Sequence, residues 1–127
     1  MPRSRKAIVK ELDRVFSLMI RITNSKNGYC ECITCGRKYP IKQIQCGHFM
    51  SRKNYSTRWV PENAAPQCYG CNVMQQGKQY EFAKQIGENT AEEMLRLSKQ
   101  IVKFSNQDLL DKICEFKKII HIFENTK

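Results

Sequence analysis

Four cysteines have the spacing that holds a tetrahedral metal ion: Cys32-Ile33-Thr34-Cys35 and Cys68-Tyr69-Gly70-Cys71. A two-residue gap lets both thiolates of a pair reach one Zn²⁺ while the turn aims backbone amides at the sulfurs. Two such pairs close the site and leave no position for water or substrate, so the zinc would be structural. It would pin the base of the long insert 36–67. The chain has seven cysteines, an odd number, and its opening Met-Pro-Arg-Ser-Arg-Lys does not read as an export signal. Metal-binding thiols in a reducing cytoplasm are therefore expected in place of disulfides. Cys30 and Cys46 are spare thiols that could compete as ligands, and Cys114 reads as a core residue. A redox role for the knuckles would need a thioredoxin-like βαβ pattern, which the sequence does not carry.

A second set of residues lies between the knuckles. Gln45-Cys46-Gly47-His48-Phe49 is followed by a basic loop, by Glu62-Asn63, and by Asn72 directly after Cys71. His48 is one of only two histidines. Imidazole is the side chain best matched to deprotonating a water near neutral pH. A lone histidine is more often structural, but this one ends a predicted strand and is tethered through the zinc to Asn63 and Asn72. The formal charge is +10, from 22 Lys and Arg against 12 Asp and Glu. No carboxylate falls between Cys32 and Pro61, where Arg37, Lys38, Lys42, Arg52, Lys53 and Arg58 are all basic. That run reads as a phosphate-tracking surface, with DNA or RNA the first partner and an anionic membrane surface a distant second. No apolar stretch approaches the roughly 18–20 residues of a membrane span, so a soluble, cytoplasmic chain is expected.

The elements that must position these residues follow from periodicity. Residues 4–23 read as a helix capped by Ser4, with Ile8, Leu12, Val15, Phe16, Met19 and Ile22 on one stripe. The helical period disappears between Gly28 and about Pro66, where short β-prone runs alternate with turn residues. A helix is expected from Cys68 to Gln76, stopped by Gly77, then another from Gln79 to Ile86. Thr90-Ala91-Glu92-Glu93 has the capping-box pattern and would open a helix with Met94, Leu97 and Ile101 inward. Ser105 to Asp108 is a looser version, opening a last helix with Leu109, Ile113, Phe116, Ile120 and Phe123 on one face. At 127 residues this makes one α+β domain: an N-terminal helix, 4–23, a zinc-stabilised core, 28–86, and a helical tail, 90–125.

The order Cys-x-x-Cys, Gly-His, Asn, Cys-x-x-Cys-Asn resembles the HNH (ββα-metal) endonucleases with zinc knuckles. Cys46-Gly47-His48-Phe49-x-Ser51-Arg52, Arg58-Trp59, Glu62-Asn63, Gln67-Cys68-x-x-Cys71-Asn72 and Gly77 are more closely similar to the phage NinG/Rap recombination endonucleases. The similarity covers roughly residues 30–80. It implies a ββα-metal core and cleavage of DNA phosphodiester bonds on branched recombination intermediates such as Holliday junctions or D-loops. His48 would be the general base, Asn63 would brace the loop and orient the histidine, and Asn72 would bind a catalytic Mg²⁺ or Mn²⁺. Arg52 and Arg58 would contact phosphates, with Trp59 packing the hairpin. An enzyme acting on symmetrical junctions would be expected to work as a homodimer. One departure stands out: many HNH enzymes carry a metal-binding Asp or His just before the base, where this chain has Gly47. Glu62 is the sole carboxylate between Cys32 and Tyr80, so few protein groups would hold the ion. Mg²⁺ tolerates this because it keeps waters and takes phosphate ligands. The rival reading is a non-catalytic zinc module that binds nucleic acid through the same basic loop.

Overall fold

Ser4 opens the first element of the computed structural model, which describes residues 3–126. Its hydroxyl accepts the Ala7 N–H at 3.1 Å and starts α1, Arg5–Thr23. The chain then reverses through Asn27 and Gly28, both left-handed at φ 55° and 82°, the backbone that a tight two-residue hairpin requires. That turn pairs β1, Ser25–Lys26, with β2, Tyr29–Glu31, and β2 pairs in turn with β3, Lys38–Pro40, all antiparallel. A second antiparallel pair follows: β4, Gln45–His48, and β5, Ala64–Gln67, in the register Gln45 opposite Gln67 and His48 opposite Ala64. Their connection holds a single helical turn, α2, Tyr55–Arg58, and a 3-10 turn, Pro61–Asn63. Three further helices complete the chain: α3, Gln79–Ile86, α4, Glu88–Ser98, and α5, Asn106–Asn125.

Three apolar clusters hold these elements together. The largest joins Leu12, Val15, Phe16 and Met19 of α1 to Leu109, Ile113 and Phe116 of α5, with Trp59 and Ala64 closing it from the β4–β5 side. Each Val, Leu, Ile, Phe or Met side chain among them, fully buried, contributes about 1.5–3 kcal/mol. The C-terminal helix thus packs into the principal core. A second cluster gathers Cys30, Cys32, Ile44, Cys68 and Cys71. A third packs Phe49 and Ala65 against Phe82 of α3 and Met94 of α4.

Several expectations are corrected. The helix expected over Cys68–Gln76 is one wide π-helical turn, Gly70–Met74, closed by Gln75 N–H to Gly70 O at 2.9 Å. It cannot extend because Gln76, Gly77 and Lys78 are all left-handed, at φ 54°, 87° and 47°. α4 starts at Glu88 rather than at the Thr90 box, because Gly87, at φ 94°, ends α3 and begins α4 at once. Ile101 lies past the end of α4 and is 93% exposed. Cys114 is exposed on α5, off the stripe that Ile113 and Phe116 bury. The Ser105 box forms as read, with Ser105 and Asp108 each accepting the other's backbone N–H.

Candidate functional site

The first knuckle is the turn between β2 and β3. Cys32 N–H bonds Arg37 O at 2.8 Å, Gly36 N–H bonds Cys32 O at 2.9 Å, and Gly36 takes the left-handed conformation at φ 78°. The second knuckle leaves β5 and enters the π-helical turn. Together they bring the sulfurs of Cys32, Cys35, Cys68 and Cys71 within 4.8 Å of one another. With Zn–S bonds of about 2.3 Å, the edge of a tetrahedral four-sulfur site is about 3.8 Å. Cys35 Sγ and Cys68 Sγ are 3.8 Å apart, so the thiols fit a zinc ion. Burial pushes the Cys32 thiol up, but N–H bonds from Cys68, Cys35 and Thr34 and the Thr34 hydroxyl outweigh it and draw the thiol down to about 6. Cys35 is driven the other way, to about 12, by burial and by the neighbouring sulfurs. Cys30 and Cys46 stay outside the cluster. Cys30 donates its thiol to Arg21 O at 3.0 Å, and burial holds Cys46 protonated, its pKa pushed up to about 12.

The second site is a cleft of about 760 Å³ whose walls include Asp13 and Arg21 of α1, Gln45 and His48 of β4, Arg52, and Asn72. His48 Nε2 lies 2.9 Å from the carbonyl oxygen of Arg58. A carbonyl can only accept, so Nε2 carries the proton and Nδ1 keeps the lone pair of the neutral ring. Burial, the largest influence, holds the ring below its ordinary pKa. Arg52 and Arg58 push the same way, while the Arg58 carbonyl and Asp13 oppose them. Asn72 donates its amide to Gln45 Oε1 at 2.8 Å. Its own oxygen has no protein partner among the described residues and could hold a cation.

Asn63 does not line the cleft. It is fully buried and ties the β4–β5 connection together: Oδ1 accepts Met50 N–H at 2.8 Å, and Nδ2 donates to Met50 O and Thr57 O, both at 3.1 Å. Of the six basic residues read as phosphate contacts, Arg37, Lys38, Lys42, Arg52 and Lys53 are exposed, and Arg52 alone lines the cleft. Arg58 is different. Its guanidinium forks onto Asp13, with Nε to Oδ1 at 3.1 Å and Nη2 to Oδ2 at 2.6 Å, while Nη1 reaches Arg52 O at 3.2 Å. It is therefore held inside the protein rather than presented to a phosphate. Trp59 is buried and gives its indole N–H to the same carboxylate at 2.9 Å.

Gly47 now has a physical reason. A Cβ there would stand 2.2 Å from Gln67 Oε1 and 2.8 Å from Gln67 Cβ. The space that a side chain at position 47 would need is filled by Gln67. That residue is fully buried, and its amide donates to Thr34 Oγ1 at 3.1 Å and to Gly77 O at 2.8 Å. Gln67 thereby joins the first knuckle, the end of the π-helical turn and the His48 strand. Glu62 sits exposed on the 3-10 turn, away from the cleft lining. Asp13 is the carboxylate in the cleft, and sequence reasoning missed it. Nothing local marks it, since it lies beside the apolar stripe of α1, far along the chain from the residues it meets.

The sequence matches the family described as Bacteriophage Lambda NinG protein over residues 2–125. The chain belongs to the NinG family. No curated protein and no solved structure matches it. The NinG match runs well past the knuckles and takes in α1, with Asp13, and all of α5. Both helices of the principal core thus belong to the family's unit, along with the four cysteines. No helix among the described residues is long and apolar enough to cross a membrane.

Proposed function

We propose that the chain is a metal-dependent DNA endonuclease of the HNH class, acting on branched recombination intermediates, with His48 as general base. The observation that carries this reading is His48 itself. Its Nε2–H is committed to a backbone carbonyl, and burial keeps the ring neutral. Nδ1 thus keeps the lone pair of a ring that lines the same cleft as Asn72 and Arg52. The succession of β4, β5 and the π-helical turn bearing Asn72 supports the ββα-metal reading. Asn63, in the loop between the strands, braces it, and the exposed basic residues supply phosphate contacts.

In the reaction, Nδ1 of His48 takes a proton from water. The water oxygen forms a bond to phosphorus in line with the P–O3′ bond, which breaks. The products are a 5′-phosphate and a 3′-oxygen that takes a proton from solvent. A Mg²⁺ or Mn²⁺ held by Asn72 Oδ1, waters and phosphate oxygens would neutralise charge on the phosphate. The zinc stays outside the chemistry. On a symmetrical junction, two copies of the chain would act together.

A second reading has one observation in its favour. The cleft carboxylate, Asp13, is bound by Arg58 and Trp59, so the cleft offers a cation no free carboxylate. A zinc module that binds nucleic acid without cutting it would have that property. Incubation with four-way-junction, duplex and single-stranded DNA in Mg²⁺, Mn²⁺ or EDTA separates the two. The nuclease should cut the junction only with added metal, and His48→Ala should lower the rate by roughly 10²–10⁴. Salt-dependent binding with no cutting on any substrate would establish the module instead.

A further inference from the structure

Asp13 grips both side chains that flank a single peptide unit. Its Oδ1 accepts from Arg58 Nε and from the Trp59 indole N–H, and its Oδ2 accepts from Arg58 Nη2. The carbonyl between those two residues, that of Arg58, receives the His48 Nε2–H. We infer that Asp13 is a positioning residue for His48: it clamps the Arg58–Trp59 peptide so that this carbonyl selects the Nε2–H tautomer and leaves Nδ1 as the base. The catalytic half of this inference rests on the nuclease reading. The tautomer half stands without it.

The geometry favours this role over direct metal binding. A forked Arg–carboxylate pair is directional, so it fixes the orientation of Arg58 as well as its charge. Both oxygens of Asp13 already accept from Arg58, and Arg52 adds a second guanidinium at 3.8 Å. A cation arriving there would meet two positive charges. The rest of the clamp is equally built. The Arg58 guanidinium carbon lies 5.2 Å from the Trp59 ring centre and 5.5 Å from that of Tyr55, which stacks the fork onto α2. One turn along α1 from Asp13, Phe16 packs its ring against His48 at 5.8 Å between centres. The N-terminal helix therefore controls His48 twice. Phe16 limits the tilt of the imidazole, and Asp13 places the acceptor for its proton. A neutral histidine without that acceptor would divide between two tautomers, and only one leaves the lone pair on Nδ1.

The test uses the zinc-loaded full chain with ¹⁵N-labelled histidine, in wild type, Asp13→Ala and Asp13→Asn. The chain has two histidines, and His121, exposed on α5, serves as the internal reference. At neutral pH, long-range proton–nitrogen correlation should show wild-type His48 as the Nε2–H tautomer. Asp13→Ala should give a mixture of tautomers, with kcat lower by roughly tenfold to a hundredfold and KM within about twofold. Asp13→Asn keeps an acceptor for the indole and should fall between them. Should the alanine variant fail to hold its zinc or its helical signal, the asparagine variant carries the same comparison. An unchanged His48 nitrogen pattern in the folded variants would overturn the inference, as would an Nδ1–H tautomer in wild type. A raised KM at constant kcat would make Asp13 a binding residue and overturn it too. If the tautomer shifts but wild type cuts no substrate, the clamp is upheld and the nuclease reading fails.

Discussion

The four-cysteine cluster and the His48 cleft share one short hairpin, and they are built on opposite plans. Cys68 follows the end of β5 that pairs with Gln45, whereas His48 pairs with Ala64 at the other end. The cluster is closed and made of four identical donors from two tight turns, each turn encoded within four residues. The cleft is open and takes its groups from α1, β4, the loop after it and the π-helical turn. A closed site of local turns can form wherever its metal is present. An assembled one exists only after the chain has folded around it.

That contrast can be broken first at the metal. Chelation, or Cys68→Ser, should release about one zinc per chain together with the stabilisation zinc supplies, an apparent 10–16 kcal/mol in small zinc-folded peptides. Hydrogen exchange should then lose protection across the two knuckles and β4–β5 but keep it in α1 and α5, whose core contains no cysteine ligand. Simultaneous loss everywhere would mean that the two regions fold as one unit.

A smaller effect tests the joint between them. Gly47→Ala forces a methyl into the space of Gln67 and should cost about 1–3 kcal/mol in a denaturant titration. Adding Gln67→Ala should cost less than the sum of the two single changes, because the clash disappears with the side chain. Strict additivity would show that Gln67 does not occupy that space.

Acidification tests the cleft through His48. His48 has its pKa lowered by folding, so the unfolded chain binds its proton more readily. The stability it contributes is complete above about pH 6.5 and declines as pH falls through that value toward the lowered pKa. Thermal melts of wild type and His48→Gln should converge in that window, and the acid limb of cleavage should lie below pH 6.5. The smallest change expected is at Arg52, exposed at the cleft edge. Arg52→Ala should weaken DNA binding modestly and reduce the slope of log K against log salt by about one. Arg58→Ala should instead disturb the fold, because its guanidinium is bound by Asp13.

Much of this architecture was legible in the chain. The stripe of α1, the Ser4 cap, the Ser105 box and the stripe of α5 are local patterns, and each forms where the residues place it. The misreadings share one cause. Cys68–Gln76 has helical composition, but successive left-handed residues at 76–78 stop it after one π-helical turn. Thr90 has a capping box, yet Gly87, three residues earlier, already starts α4. Where two local signals compete, tertiary context chooses.

The sequence by itself determined which four cysteines could hold a metal, because two-residue spacing lets a pair of sulfurs reach one ion regardless of what surrounds it. It also determined that a histidine would stand in a carboxylate-free, basic stretch. Only the tertiary structure decided which nitrogen of that histidine keeps the lone pair. That choice depends on Asp13, Arg58 and Trp59, brought together from α1 and the β4–β5 connection, 45 and 46 positions apart. A contact over that separation leaves no periodic trace in the chain. It arises because the apolar face of α1 must bury itself against Trp59 and α5, and the carboxylate beside that face arrives with it.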